Sequence, residues 1–121
     1  MWEVEYLDEF ARWWDGLNAE EQDSVAFVVQ LLVREGPALP WPYSSDISTA
    51  KKFPIRELRI QHRGSPYRVL YVFDPRRCAV LLLGGDKSGD GRWYIRNVPK
   101  AEKLYAGYLA ELRKEGLIHE D

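Results

Sequence analysis

An α+β domain is expected from three features of this sequence. A short alternating strand opens the chain, helical apolar stripes lie toward both ends, and three close-set strands fill the middle. The expected order is β-α-α-β-β-β-α, with the N-terminal strand and two helices packed on an antiparallel sheet. The 121 residues suit one domain spanning 1–121, since domains commonly run ~100–150 residues. A chain 45% hydrophobic and 30% charged has the balance of a globular protein.

Trp2-Glu3-Val4-Glu5-Tyr6 alternates apolar and acidic side chains, as a half-buried strand does. A short helix is expected from Asp8 to Asp15, with Phe10, Trp13 and Trp14 on one side, ended by Gly16. Asn18 can cap the next helix, and Glu21 stands three residues on, where a capping box needs it. Val25, Val28, Val29, Leu32 and Val33 form its apolar stripe, and Gly36-Pro37 ends it. Residues 36–50, with Pro37, Pro40, Pro42, Trp41 and Tyr43, read as an irregular loop.

Three strands follow, near Ile55–Gln61, Tyr67–Phe73 and Cys78–Leu83. Gly64 and Pro66 mark the first turn, and Asp74-Pro75-Arg76-Arg77 is a type I turn signal. Such short turns imply an antiparallel meander. A last helix is expected with Asn97 as its cap and Pro99 in its first turn. Its stripe is Ala101, Leu104, Tyr105, Tyr108, Leu109 and Leu112, and Gly116 stops it. Two helices can cover one sheet face and leave the other partly open to a ligand.

The net charge of −2 hides an uneven distribution. Residues 1–50 carry ten acidic and two basic residues, and residues 51–100 carry four acidic and twelve basic. The expectation is a polarised surface with one positive face. The single cysteine, Cys78, excludes an internal disulfide, reads as a buried small hydrophobe and favours a reducing compartment. No segment reaches the ~18 apolar residues that cross a bilayer. The acidic start is unlike a signal peptide. A cytoplasmic protein without membrane contact is expected.

Alternation sorts the central strands into faces. Leu58 and Ile60 point to the core with the stem of Arg56, while Glu57 and Arg59 share the other face. Tyr67, Val69, Tyr71 and Phe73 share one face of the next strand, and Arg68, Leu70 and Val72 the other. An arginine among buried residues is either a cross-strand partner of Glu57 or an aspartate, or a charged fork offered to phosphate. Gly84-Gly85-Asp86-Lys87-Ser88-Gly89-Asp90-Gly91-Arg92-Trp93-Tyr94 lacks Walker spacing. Its glycines allow close approach of a ligand, Lys87 and Arg92 can neutralise phosphates, and Tyr94 or Trp93 can stack on an unpaired base. His62 and His119 stand alone, so no metal site or other cofactor is expected. Ser44, Ser45 and Ser65 have no neighbouring base. Metal-free cleavage of a phosphodiester needs a base, cations and an acid. Like charges ease proton loss, which makes Lys87 the candidate for proton transfer.

Three runs together carry a specific likeness: Arg56-Glu57-Leu58-Arg59, Tyr67-Arg68-Val69-Leu70-Tyr71-Val72-Phe73-Asp74-Pro75-Arg76-Arg77, and Gly84-Gly85-Asp86-Lys87 followed by Arg92-Trp93-Tyr94. Over roughly residues 37–112 the chain resembles the phage-derived, HigB-like branch of the RelE/ParE toxin superfamily. The resemblance implies a RelE-like fold and the toxin of a type II toxin–antitoxin pair. It further implies an endoribonuclease that cuts mRNA in the ribosomal A site without metal and is neutralised by a helix-turn-helix antitoxin. By position, Arg59, Arg68 and Lys87 are its sheet-face cations, with Arg92 and Tyr94 just beyond. Arg68 would stabilise charge on phosphorus, Lys87 would transfer a proton, and Arg59 and Arg92 would hold flanking phosphates. Tyr94 would stack on a base or orient a neighbour. Lys51, Lys52, Arg56, Arg63, Trp93 and Arg96 are the further expected RNA contacts. The alternatives are a ParE-like gyrase inhibitor and an inactive module that only binds an antitoxin.

Overall fold

A computed structural model describes residues 1–119. The first strand, β1 (Val4–Tyr6), is followed by α1 (Asp8–Asp15) and α2 (Ala19–Glu35). Then come β2 (Ser44–Asp46), β3 (Arg56–His62), β4 (Ser65–Phe73), β5 (Ala79–Asp86) and α3 (Trp93–Lys114). The five strands form one sheet in the order β1-β5-β4-β3-β2. β2 to β5 are antiparallel, and β1 joins parallel to β5 at the far edge. The α+β class and the order of the main elements are those expected.

Both faces of the sheet are covered. On one, α1 and α2 bring Phe10, Val25, Val28 and Leu32 against Leu58, Ile60, Val69, Tyr71 and Leu81. On the other, α3 brings Val98, Ala101, Tyr105 and Leu109 against Leu70, Val72, Val80 and Leu82. The Asn18–Glu21 capping box forms in full: Glu21 N–H donates to Asn18 Oδ1 at 2.8 Å, and Asn18 N–H donates to Glu21 Oε1 at 2.9 Å. Cys78 is buried, with its thiol 3.4 Å from Glu3 Oε2.

Four expectations change. Part of the segment read as irregular forms β2, although Ser-Ser-Asp contains no strong β-former. Side chains hold it instead: Ser44 Oγ lies 2.6 Å from the Tyr71 hydroxyl, and Ser45 Oγ donates to Glu57 at 2.7 Å. β5 runs on through Gly84-Gly85 to Asp86. A side chain at Gly84 would meet the Trp13 ring at 2.3 Å, and one at Gly85 would meet the Trp93 indole at 2.7 Å from the opposite face. These glycines make room for tryptophans, where the sequence suggested ligand approach. α3 begins at Trp93, because Asp90 accepts from the Arg92 N–H at 3.1 Å and burial of Trp93 fixes the first turn. Asn97 therefore lies within the helix, donating to the Trp93 carbonyl at 2.9 Å, and Pro99 is internal.

The fourth concerns charge. Arg56–Asp46, Arg63–Glu20, Arg76–Glu5 and Lys100–Glu9 each join an acid of the first fifty residues to a base of the next fifty. The acidic and basic segments thus interleave, and the positive character is confined to a few sites. No helix among the described residues is long and apolar enough to cross a membrane.

Gly84→Ala is expected to lower stability by about 1–3 kcal/mol, the usual cost of overpacking. A fall in the urea midpoint with an unchanged slope would confirm this. An unchanged midpoint would show that Trp13 is free to move aside.

Candidate functional site

Strand alternation and register create one unusual pair. Glu57 and Arg59 lie two residues apart on β3 and so share a face. Arg59 stands directly opposite Arg68 on β4. Like charges in that position repel, and the Glu57 carboxylate counters them both. Its Oε2 accepts from Arg59 Nη1 at 3.2 Å and from Ser45 Oγ at 2.7 Å. Its Oε1 accepts from the Tyr94 hydroxyl at 2.5 Å and pairs with Arg68 Nε at 3.3 Å. Glu57 is 5% exposed and Arg68 4%. One carboxylate thus gathers β2, β3, β4 and the first turn of α3.

α3 determines why this spot stays accessible. Its apolar stripe covers the sheet only as far as Trp93, which packs over Gly85 beside Arg68. Three residues before Gly85, β5 carries a bulge: Leu70 pairs with Leu83 and Tyr71 with Leu81, so Leu82 is the extra residue.

The cluster remains cationic after its internal pairing, with two guanidiniums for one carboxylate. Arg68 donates from Nη1 to the Tyr67 carbonyl at 2.9 Å. Its Nη2 has no hydrogen-bond partner among the described residues. No fully buried side-chain nitrogen or oxygen lacks a partner, so this nitrogen must reach solvent. Arg59 and Arg68 are both among the residues that line a cleft of about 680 Å³ at the edge of β3. The Arg59 guanidinium lies 4.2 Å from the Trp41 ring centroid, a cation–π contact. Lys87 Nζ is 5.8 Å from the Tyr94 ring, which adds a second net positive charge. The segment bearing Lys87 is ordered by its aspartates: Asp86 accepts from Ser88 N–H and Oγ, and Lys87 N–H donates to the Pro66 carbonyl. Burial, and then the bond to Glu57, raise the Tyr94 pKa above its ordinary value of 10.0. The phenol therefore stays a neutral donor across the physiological range.

Of the expected residues, the fold brings together Arg59, Arg68, Lys87 and Tyr94. Arg92 is an exposed cation directly before α3. Trp93 is 5% exposed beneath Arg68's neighbours, and its burial removes it as a base-stacking surface. Arg56 points to the opposite face and is bound by Asp46, Ser44 and Tyr71. Arg63 pairs with Glu20 and Arg96 with Asp90, both at the surface. Lys51 and Lys52 donate their backbone N–H groups to Glu102 at 3.0 and 2.6 Å and expose their side chains. Sequence reasoning gave Glu57 only a structural pairing and passed over Ser45 and Trp41. The available signal was Glu57's position: an acid within a basic run, on the face that carries Arg59.

Comparison with known proteins gives three findings. The family described as "Phage derived protein Gp49-like (DUF891)" matches residues 12–106. Two proteins of Mycobacterium tuberculosis (strain ATCC 25618 / H37Rv), "Putative toxin HigB3" and "Putative toxin HigB2", are 39% identical over 105 residues and 32% identical over 107. Those alignments cover 86% and 87% of this chain, and 90% and 53% of the two relatives. The crystal structure of the isolated E. coli RelE toxin superposes with a TM-score of 0.53 at 10% identity, over 71% of this chain and 84% of that one. At that identity the likeness is one of fold.

Glu57→Gln should cost about 3–5 kcal/mol in urea unfolding, because it leaves the buried Arg68 charge without its counter-charge. A loss under 1 kcal/mol would mean that solvent already compensates Arg68. Tyr94 adds a pH dependence. Its raised pKa favours the neutral phenol in the folded state, so its contribution is full below pH 10.0 and is lost as pH rises through the raised value. Tyr94→Phe should therefore flatten the alkaline fall in melting temperature, and an unchanged slope would contradict the assignment.

Proposed function

We propose, from the premise that the chain belongs to the Gp49-like family and thus to the HigB-like branch of the RelE superfamily, that it is a type II toxin that cleaves mRNA. The observation that carries the reading is the partly unsatisfied guanidinium pair, Arg59 and Arg68, held opposite each other on neighbouring strands, both lining an open cleft. Two adjacent guanidiniums suit the non-bridging oxygens of one phosphodiester.

Cleavage here is an attack by the ribose 2′-hydroxyl on the adjacent phosphorus. A bond from the 2′-oxygen to phosphorus forms and the bond to the 5′-oxygen breaks. The products are a 2′,3′-cyclic phosphate and a 5′-hydroxyl. Both Glu57 carboxylate oxygens are engaged, by Ser45, Tyr94 and the two arginines, so Glu57 meets substrate through Tyr94. The Tyr94 oxygen takes the 2′-hydroxyl proton while its own proton passes to Glu57 Oε1, 2.5 Å away. Charge growing on the phosphoryl oxygens falls to Arg68 and Arg59. Lys87 supplies a proton to the departing 5′-oxygen. Arg92 holds a flanking phosphate. Every proton is accounted for without a metal ion or cofactor.

The mRNA is read in the ribosomal A site, and a helix-turn-helix antitoxin encoded alongside neutralises the toxin. The support for these partners is membership of the family. Induction in cells should halt growth and create new mRNA 5′ ends, visible by primer extension. Arg59→Ala and Lys87→Ala, both at partly exposed positions, should each reduce cleavage by about 10²–10³-fold and relieve the arrest. Arrest without new mRNA ends would favour gyrase inhibition. Arrest at full strength in both variants would exclude this site. Harmless expression of the unaltered chain would favour a module that only binds antitoxin.

A further inference from the structure

The cleft that Arg59 and Arg68 line is much larger than one phosphate requires. Its volume of about 680 Å³ falls within the ~300–1,000 Å³ range of small-molecule sites. It follows the outer edge of β3 past the last pairing with β2, Ser44 with Leu58. One wall is α2, including Phe27, and the other holds Pro42 and Tyr43. Phe27 is 59% exposed, although the stripe beside it packs in the core. Nothing in the fold requires a phenylalanine there. Tyr43 is also exposed, and Trp41, 65% exposed, lies against Arg59. Asp23, Ser24 and Gln61 add hydrogen-bonding groups to the same cavity.

We infer that this cleft is a nucleobase subsite: it takes one unstacked base of the RNA strand, next to the phosphate held by Arg59 and Arg68. The inference rests on the RNA-cleaving reading and specifies how that substrate is held. Three features select this occupant. Arg59 and Arg68 among its lining residues call for an anion beside the apolar space. The aromatic walls offer flat faces to a flat ring, and base–aromatic stacking tolerates any base. The polar groups meet the donors and acceptors on a base edge. An extended protein segment along the open β3 edge would use the backbone of β3, and would leave Phe27 and the guanidinium pair without a matching group.

The test uses the full chain and two non-cleavable dinucleotides, each with a 2′-deoxyribose at the attacking position. One carries both bases and the other is abasic at the position expected in the cleft. Isothermal titration should show the unaltered protein binding the base-bearing probe about 10-fold more tightly, the value of one stack. Phe27→Ala and Tyr43→Ala should each remove most of that difference and leave abasic affinity unchanged. Phe27 is exposed, so its loss should not alter the melting temperature. Arg59→Ala should weaken both probes alike. If both aromatic variants keep the full preference for the base, the subsite is wrong and the RNA-cleaving reading stands. If the unaltered protein binds neither probe, the subsite is wrong, and the RNA-cleaving reading stands or falls separately by primer extension.

Discussion

Two arginines directly opposite each other on neighbouring strands are the constraint from which the site follows. At ~4 Å in a protein-like medium, two like unit charges cost about 4 kcal/mol. Glu57 offsets that cost by lying against both, and Tyr94 and Ser45 fill its remaining acceptor positions. A buried ion cluster is rarely the most stable filling for such a space, since apolar side chains of similar size often do as well or better. Its place beside the partly exposed Arg59, Lys87 and Tyr94, where the cover of α3 ends, fits a binding role better than a stabilising one. The cluster keeps Arg59 and Arg68 close, oriented and still short of full compensation.

The rest of the fold serves to hold that cluster at an opening. Trp93 over Gly85 starts α3 early enough to bring Tyr94 to Glu57. β2, short and poor in β-formers, delivers Ser45 to the same carboxylate and begins only at Ser44, opposite Leu58, so its pairing does not extend along the β3 edge beside the cleft. At the other end of the sheet, Arg76 joins Glu5, Asp74 and Tyr108, and so ties β1, the β4–β5 turn and α3 together. The conspicuous Asp-Pro-Arg-Arg turn thus has a structural task, and its first arginine is engaged through Nε and Nη2.

The parts legible in the sequence were those governed by local periodicity. Alternation placed Glu57 with Arg59 on one face of β3 and Arg68 with Leu70 and Val72 on one face of β4, the resemblance implied that the arginines share a sheet face, and the Asn18–Glu21 spacing located the start of α2. What escaped depended on distant partners. Arg56, Arg63 and Arg96 looked like free cations because Asp46, Glu20 and Asp90 lie up to 43 residues away. The double glycine resembled a ligand loop because nothing local reveals that Trp13 and Trp93 cross it from opposite faces. Trp93 looked like a stacking residue because its burial begins only once α3 docks. Phe27 gave no signal and Trp41 only that of its irregular loop, since an exposed aromatic becomes informative only when its neighbours in space are known.

If Glu57 keeps Arg59 and Arg68 together as one anion receptor, both guanidiniums should answer to the same ligand. The most direct measurement follows the Nε–Hε resonances of the two arginines by NMR while a non-cleavable, 2′-deoxy-substituted RNA oligonucleotide is added. Both should shift and saturate at a single concentration, and in Glu57→Gln they should lose that common midpoint. Shifts confined to exposed cations such as Arg92, with Arg59 and Arg68 unmoved, would contradict the receptor.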